Sequence, residues 1–570
     1  MSEYVNANLY MRDPRYYHYL VKYQGDIEND ILKYPDLHIK LINDKYAILF
    51  IPKDKISMID DGLDIPSIVF VKLPEMYTLQ EISPIEASQV DFLQLNLPLT
   101  LTGKGTTVAI IDTGIDYLNE EFMDSSGNTR IKYLWDQSVE PPKGSEPDNV
   151  PYGTIYSREQ IQNAINESRN GGDPYKIVPS TDTNGHGTAM AGIVGARGKN
   201  PEIKGIVPEC DFIIIKLFED VSFTDVYKPS VPVYNITAMF SSLEFIFQYY
   251  LKLTEPIIAL LPLGSNLGSH NGDSIIDEFI EYISITTQVC IVTCAGNERV
   301  TGAHVSGNLN ENEANKIIDL DIPPEEKNLW VDIWAPTPNI ISVDVISPSG
   351  ENSGVINTMI NKTAYYKYIF EKTYVKVNYY IPEEITGDEL IRLRFYDLQP
   401  GIWRLRITGE LIVDGQYNLW IPQKGIINEK THFTPYDIYN TVTNPGNGDY
   451  TITVAAYNQN NNNIVNYSGI SANGKNIIDV AAGGVNALTT APGNKVTTVN
   501  GTSVASAVVA GACAMLIEWG VNGKNNPYIR AKTMKNYLAI GVATRSGDIY
   551  PNAEWGYGML NILNLFQNLY

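Results

Sequence analysis

The spacing of apolar and polar residues divides the chain into segments with three different patterns. Residues 1–80 contain three β-rich runs, around Tyr17–Tyr23, Ile39–Ile51 and Ile68–Lys72. A helix is predicted over Asp26–Tyr34, between the first two runs. This part of the chain is therefore expected to form a small α+β unit.

From about Gly103, short apolar runs alternate with helical segments punctuated by glycine. The runs are TTVAIID, CDFIIIKLF, PIIALLPLG and VCIVTCAGN. The same pattern resumes at DYTITVAAYN and ends in helices predicted over 503–519 and about 528–540. Because buried apolar strands that alternate with helices are typical of parallel sheets, we predict an α/β fold with helices on both faces.

A segment with a different period interrupts this α/β pattern. Between about Val305 and Pro435, apolar and polar residues alternate one by one, as in NLWVDIWA, LIRLRFYDL and IWRLRITGEL. Turn residues separate these runs, which indicates an antiparallel β-sandwich inserted into the α/β domain. The sequence therefore predicts four segments, 1–80, 81–304, 305–435 and 436–570. The second and fourth form one α/β domain, and the third is the sandwich inserted into it.

Composition excludes several classes of protein. The chain has 570 residues, with 42 Lys and Arg against 65 Asp and Glu and a net charge of −23. Such a surface repels phosphate backbones and anionic lipids, so we expect no nucleic-acid partner. No uninterrupted apolar run of 18 residues occurs in the sequence, so we expect no membrane insertion. The first residues lack the basic and apolar regions of a secretory signal, which predicts a protein that is not exported.

The four cysteines have neither a CxxC motif nor a spacing with histidine that is typical of metal sites. They are Cys210, Cys290, Cys294 and Cys513. Their apolar surroundings predict buried free thiols and a reducing compartment.

Three segments rich in small residues carry candidate chemistry. Asp112 ends an apolar strand, where it is either a functional carboxylate or a helix cap. His186 lies between two glycines that allow close approach to its ring, although a lone histidine is often structural. Ser503 begins an apolar helix, a position typical of a cap but also one that exposes Oγ beside a backbone N–H.

The order Asp, His, Ser, with each residue in a matching motif, resembles that of the subtilisin-like serine peptidases. The resemblance covers about Gly103–Ala303 and Asp449–Gly541. It rests on four motifs: IIDTGID at 110–116, NGHGTAMAG at 184–192, TCAGNE at 293–298 and NGTSVASAVVAG at 500–511.

This resemblance implies a role for each matching residue. Ser503 is the expected nucleophile and His186 the general base, while Asp112 orients the imidazole. Asn297 matches the side chain that donates to the oxyanion. Leu263, Gly264 and Ser265 resemble the strand that pairs with the substrate backbone, and Thr443 is expected at the floor of the first specificity pocket.

No metal and no cofactor are expected. Arg197-Gly198-Lys199-Asn200 occupies the region where many subtilases bind calcium, and its basic side chains disfavour a divalent cation. Two residues depart from the family pattern without removing a catalytic atom: Ala189 stands where histidine is common and Ala507 where proline is common.

By the same resemblance, residues 1–80 are similar to a propeptide that is cleaved after Gln80 and then binds its own active site. The alternative is a permanent N-terminal domain. The lack of a secretion signal, the GTSVASA motif and the inserted sandwich are most similar to the clostridial spore-germination (Csp-type) subtilisins.

In the Csp-type group the insert is a jelly roll, and the substrate is the zymogen of a cortex-degrading hydrolase. The resemblance therefore implies a self-processing endopeptidase, cytoplasmic or spore-associated, whose partners are a protein substrate and its own propeptide. Two alternatives are a non-catalytic germination sensor with an occluded site and a general intracellular degradative protease.

Overall fold

The computed structural model describes residues 10, 13, 15–42, 45–55, 65–72, 84–94, 99–141, 150–221, 224, 227–310, 313–356, 363–383 and 385–569. The chain divides into two compact units, Met1–Glu81 and Ile82–Tyr570.

The first unit contains a four-stranded antiparallel sheet in the order β2-β3-β1-β4. In chain order its elements are β1 (Tyr16–Tyr23), α1 (Ile27–Ile31), β2 (His38–Leu41), β3 (Tyr46–Pro52), a 3-10 turn (Lys53–Lys55) and β4 (Ile68–Lys72). The β-rich run predicted around Ile39–Ile51 forms two strands, β2 and β3. The sequence between them contains Asn43-Asp44, a pair that favours a turn.

The second unit begins with the elements of an α/β domain. In chain order they are α2 (Pro84–Ala87), α3 (Asp91–Gln94), β5 (Thr107–Asp112), β6 (Ile131–Asp136), β7 (Thr154–Ser157), α4 (Arg158–Arg169), α5 (His186–Gly195), β8 (Asp211–Lys216), α6 (Ile236–Leu253), β9 (Ile257–Leu261), α7 (Ile275–Thr286) and β10 (Val289–Cys294). Short 3-10 turns lie at Glu120–Phe122 and Pro174–Lys176.

Among the described residues, ten antiparallel strands follow within the segment whose pattern predicts a sandwich. They are β11 (His304–Asn308), β12 (Asn315–Ile322), β13 (Asn328–Ala335), β14 (Ile340–Ile346), β15 (Thr363–Lys367), β16 (Tyr374–Tyr380), β17 (Glu389–Tyr396), β18 (Gly401–Leu411), β19 (Gln416–Trp420) and β20 (His432–Thr434). They form two sheets, in the orders β11-β19-β13-β17-β16-β15 and β14-β18-β12-β20. Alternate residues of both sheets, such as Leu329, Phe395 and Trp403, share one buried core.

The α/β domain then resumes. Its remaining elements are β21 (Thr451–Asn458), β22 (Asn463–Ile464), β23 (Val480–Gly483), β24 (Ala487–Ala491), β25 (Lys495–Val499), α8 (Thr502–Ile517) with a π-helical turn (Glu518–Asn522), α9 (Ala531–Ile540), β26 (Val542–Ala543), β27 (Met559–Leu560) and α10 (Ile562–Asn568). The last two long helices agree with those predicted from the sequence to within a few residues.

The central sheet has the order β26-β27-β23-β21-β10-β9-β5-β8-β6-β7, with β22 beside β21. All pairs from β27 to β6 along this path are parallel. Alternate residues of β5 enter different cores: Val108 and Ile110 pack on the side of α5 and α8, and Ala109 and Ile111 on the side of α6 and α7. The predicted helix-covered parallel sheet is therefore confirmed.

Helix α8 and its π-helical turn are long and apolar enough to cross a membrane, but 89% of their most apolar window is buried inside the fold. This segment is a core helix of the α/β domain. The four cysteines are free and buried, as predicted. Burial raises the pKa of Cys290 to about 12, so its thiol stays protonated at neutral pH.

Candidate active site

The parallel sheet places Asp112 and His186 in direct contact. Asp112 ends the buried strand β5 and is itself fully buried, while His186 is the first residue of α5. Nδ1 of His186 lies 2.9 Å and 2.8 Å from the two carboxylate oxygens of Asp112. Because Nδ1–H donates to this carboxylate, Nε2 of a neutral ring is left as a proton acceptor.

A second carboxylate, Asp182, holds the start of α5. Its oxygens accept from the backbone N–H groups of Gly185 and Thr188, both at 2.8 Å. Asp182 also accepts from the hydroxyl of Thr113 at 2.8 Å, and that hydroxyl accepts from Gly187 N at 2.9 Å. The residue after Asp112 and the residue after His186 are thereby fixed to each other.

Gly187 allows the helix to approach the strand closely. A Cβ at this position would lie 2.2 Å from the carbonyl oxygen of Gly114. The glycine after His186 is therefore required by packing, and any larger residue would separate the imidazole from Asp112.

The electrostatics around His186 favour its protonated form. Burial alone lowers the pKa of the imidazole, but the charge of Asp112 and its hydrogen bond outweigh that effect, with a further contribution from Asp182. The pKa of His186 is therefore raised above its ordinary value. About a third of the side chain remains exposed (32%), so its free edge is open to solvent.

Ser503 lies in the first turn of α8, the long apolar core helix. Its Oγ donates to the carbonyl oxygen of Pro262 at 3.0 Å. Pro262 directly follows β9, so this bond joins the serine to the start of the segment Leu263-Gly264-Ser265. With its one proton directed at Pro262, the hydroxyl has to turn before it can donate to His186.

Two N–H donors converge beside Ser503. Asn297 Oδ1 accepts from Thr502 N at 3.2 Å and from Thr502 Oγ1 at 3.0 Å, which turns the Nδ2 group of Asn297 away from Thr502. A Cβ at Gly501 would lie 3.8 Å from both Asn297 Nδ2 and Ser503 N. Gly501 has φ +140°, in the region that favours glycine, so this space stays free for an oxyanion.

The segment expected to bind the substrate and the expected pocket floor are brought together. Ser265 exchanges both main-chain hydrogen bonds with Asn444, the residue after Thr443. Methyl groups added at Gly264 and Gly296 would lie 2.2 Å and 2.6 Å from Thr443 Oγ1. This hydroxyl is buried and has no hydrogen-bond partner among the described residues. The proposed cleavage residue, Gln80, lies outside the described residues.

The loop where many subtilases bind calcium encloses a carboxylate. The backbone N–H groups of Gly198, Lys199 and Asn200 all donate to the buried Glu121, at 2.6–3.1 Å. Their N–H groups therefore point inward, toward an anion. Within the described ranges, no group of three or more His, Cys, Asp and Glu side chains is placed to hold a metal ion.

Four residues of the site are absent from the sequence-based prediction. Pro262 acts through its carbonyl, which no side-chain pattern indicates. Gln423 lies on the inserted segment, and its contact with the Gly264 carbonyl joins residues 159 positions apart in the chain. Asp182 stands two residues before the motif that contains His186, and Thr502 lies within the motif that contains Ser503, so their positions could have identified them.

Comparisons with known proteins identify the family to which the chain is related. Residues 103–358 and 437–558 match the subtilase family of S8 peptidases. The chain is 29% identical to the Clostridium perfringens CspB protease, whose solved structure it matches with a TM-score of 0.75. The match covers 85% of this chain and 96% of that protease.

A curated relative is subtilisin DY of Bacillus licheniformis, which is 33% identical over 123 residues. That match spans 22% of this chain and 39% of the relative. Because the family match covers well over half of the chain and is supported by the arrangement of the motif residues, the chain belongs to the subtilase family.

Proposed function

We propose that this protein is a serine endopeptidase in which Ser503 is the nucleophile, His186 the general base and Asp112 the group that orients it. The observation that carries the proposal is the proximity of Asn297 Nδ2 and Ser503 N to one free space, each 3.8 Å from the position that a Cβ would take at Gly501. Two preorganised donors beside a serine hydroxyl suit the oxyanion of acyl transfer.

The hydrogen bond from Ser503 to Pro262 indicates how substrate binding prepares the nucleophile. A substrate strand that pairs with this segment brings its own N–H to the Pro262 carbonyl, which now accepts from Ser503 Oγ. The released hydroxyl then donates to Nε2 of His186. In this way the serine is activated when a peptide is present.

The reaction then follows from the positions of the proton donors and acceptors. Ser503 Oγ attacks the scissile carbonyl as His186 Nε2 takes its proton, and the oxyanion accepts hydrogen bonds from Ser503 N and Asn297 Nδ2. The same proton passes from Nε2 to the leaving amine, which leaves an acyl-enzyme that water hydrolyses. The carboxylate of Asp112 stabilises the imidazolium through its contact with Nδ1.

We further propose that the first specificity pocket prefers glutamine. Thr443 Oγ1 is buried against Gly264 and Gly296 and has no partner among the described residues, so a side-chain amide that reached it on binding would satisfy an unpaired hydroxyl. A polar pocket floor rejects a purely apolar side chain because its own hydroxyl would stay unpaired. Gln80 is the glutamine of this chain that we propose such a pocket accepts.

Residues 1–80 are accordingly proposed as a self-processed propeptide, and residues 305–435 as an inserted jelly roll. The similarity to the CspB protease supports a related role. The proposed substrate is then a protein zymogen, such as the precursor of a spore cortex hydrolase, cleaved in the cytoplasm or the spore during germination.

One observation favours a second candidate, a sensor without catalytic activity. The hydroxyl of Ser503 is bonded to Pro262 and not to His186, which would also suit a permanently latent site. A general degradative protease is distinguished from both by ready digestion of unfolded casein.

Labelling with a fluorophosphonate probe tests the catalytic proposal. The wild-type protein should be labelled on Ser503, and Ser503→Ala should not be labelled. Ser284→Ala, which alters a buried serine of α7, is the matched control and should be labelled like the wild type. Folded wild-type protein that stays unlabelled would favour the sensor.

A further inference from the structure

A side chain from the end of the inserted segment already occupies the free edge of the substrate-pairing strand. Ser265 exchanges hydrogen bonds with Asn444 on one edge: its N–H donates to Asn444 O at 3.0 Å, and Asn444 N donates to Ser265 O at 2.8 Å. Successive residues of an extended chain direct their N–H and C=O to opposite edges. The groups of Gly264 and Asn266 therefore face the other edge, where a substrate strand would lie.

The Gln423 side chain satisfies two of these groups. Its Nε2 donates to the Gly264 carbonyl at 2.9 Å, and its Oε1 accepts from the Asn266 N–H at 3.1 Å. One donor and one acceptor used in this way imitate the peptide group of a neighbouring strand. Gln423 also lines, with Gly264 and Ser265, a cavity of about 580 Å³, which places it on the open side of the strand.

The chain on both sides of Gln423 is held by buried groups. Asn266 Nδ2 donates to the carbonyl of Ile421 at 2.8 Å, and Lys424 N donates to Glu298 at 3.1 Å. Asn266 and Glu298 are both buried, and Glu298 directly follows the proposed oxyanion donor. A substrate that displaced the main chain at Gln423 would therefore have to break these hydrogen bonds.

The position of the nucleophile sets the register of a bound peptide. The Pro262 carbonyl lies 3.0 Å from Ser503 Oγ, so the residue that pairs with it carries the scissile carbonyl. Gly264 lies two positions farther along the strand. Its carbonyl therefore faces the N–H of the residue two positions before the cleaved one, which in the sequence Tyr77–Gln80 is Thr78.

We propose that Gln423 limits substrate specificity by ending the pairing edge at Gly264. This inference rests on the proposed endopeptidase function. It means that a substrate forms a hydrogen bond with the Pro262 carbonyl but not with the Gly264 carbonyl. The enzyme then binds only a short extended segment, and selection falls on the side chains closest to the scissile bond. Such a segment is available in an exposed linker of a folded protein.

Ester substitution of single peptide bonds tests the inference, because it removes one N–H with little change in shape. The parent substrate is acetyl-Tyr-Thr-Leu-Gln with a fluorogenic amide, and the analogues replace the N–H of the threonine or of the glutamine. For the wild type, the threonine ester should change kcat/KM less than about twofold, and the glutamine ester should cost about fivefold or more.

In Gln423→Ala the Gly264 carbonyl is free, so the threonine ester should now cost about fivefold. Gln423→Glu, which keeps the bulk but cannot donate when ionised, should behave in the same way and replaces the alanine variant if that unfolds. Gln416→Ala, at an exposed glutamine of β19, is the control and should match the wild type.

A fivefold loss on the threonine ester in the wild type would overturn the inference, because the substrate would then use the Gly264 carbonyl. An unchanged ester effect in folded Gln423→Ala would overturn it as well. If none of the proteins hydrolyses the parent peptide, the proposed function fails and the inference fails with it.

Discussion

Replacing Thr502 with valine should weaken the proposed oxyanion site without altering any atom of the proposed catalytic residues. The Thr502 hydroxyl donates to Asn297 Oδ1 at 3.0 Å and its backbone N–H donates to the same oxygen at 3.2 Å. Valine keeps the shape and the backbone bond but removes the hydroxyl. The Asn297 amide is then held by one bond and has more freedom to rotate away from the oxyanion.

The size of the effect follows from the bond that is lost. A neutral hydrogen bond contributes about 0.5–1.5 kcal/mol, which corresponds to about 2- to 13-fold in kcat/KM. Asn297→Ala removes the donor itself and should cost about 10²–10³-fold. Because the Thr502 hydroxyl acts through Asn297, adding Thr502→Val to Asn297→Ala should cost less than about twofold more.

The assay is kcat/KM of the four proteins of this double-mutant cycle on a peptide that ends in glutamine. Thr287→Val is the matched control, because Thr287 is a buried threonine that donates to Ile283 O at the end of α7, away from the site. It should lower the melting temperature and leave kcat/KM unchanged. Equal losses from Thr502→Val in both backgrounds would refute the positioning role.

Three further predictions concern the base, the loop that resembles a calcium site, and the pocket. His186 must be neutral to accept a proton, and Asp112 raises its pKa, so the acid limb of kcat/KM should have its midpoint above about pH 6.5. Asp112→Asn should shift this midpoint downward and reduce kcat by about 10⁴-fold. A midpoint below about pH 6 in the wild type would contradict this prediction. Glu121→Ala leaves the N–H groups of 198–200 without their acceptor and should lower the free energy of unfolding by about 1–3 kcal/mol in a denaturant titration. Calcium should not restore the loss, and stabilisation of the wild type by micromolar calcium would argue against an anion-centred loop. Thr443→Val should lower kcat/KM about fivefold for a glutamine peptide and not for its methionine analogue; equal changes for both peptides would exclude recognition by the hydroxyl.

The sequence is sufficient for the parts of the site that depend on local pattern. Asp112 ends a continuous apolar run and Ser503 begins one, and those patterns set their places at a strand end and a helix start. In a parallel α/β sheet the carboxyl ends of strands and the starts of helices lie at the same edge, so topology brings Asp112 at the end of β5 and His186 at the start of α5 to one side of the domain.

The missing parts depend on contacts between distant segments or on backbone atoms. Gln423 reaches Gly264 because the end of the insert returns beside β9, and no local pattern encodes that return. Pro262 contributes a carbonyl that every residue possesses. In the first unit, the mostly apolar run from Ile39 to Ile51 contains the reversal between β2 and β3. Asn43-Asp44 is the turn signal within that run.

The central claim is that Ser503 cleaves peptide bonds, including one in its own chain, and the mass of the purified protein tests it most directly. Intact-mass measurement and N-terminal sequencing of the wild type should give a product that begins just after Gln80, whereas Ser503→Ala should stay at the full 63.5 kDa. An uncleaved wild type, or the same cleavage in Ser503→Ala, would contradict the account.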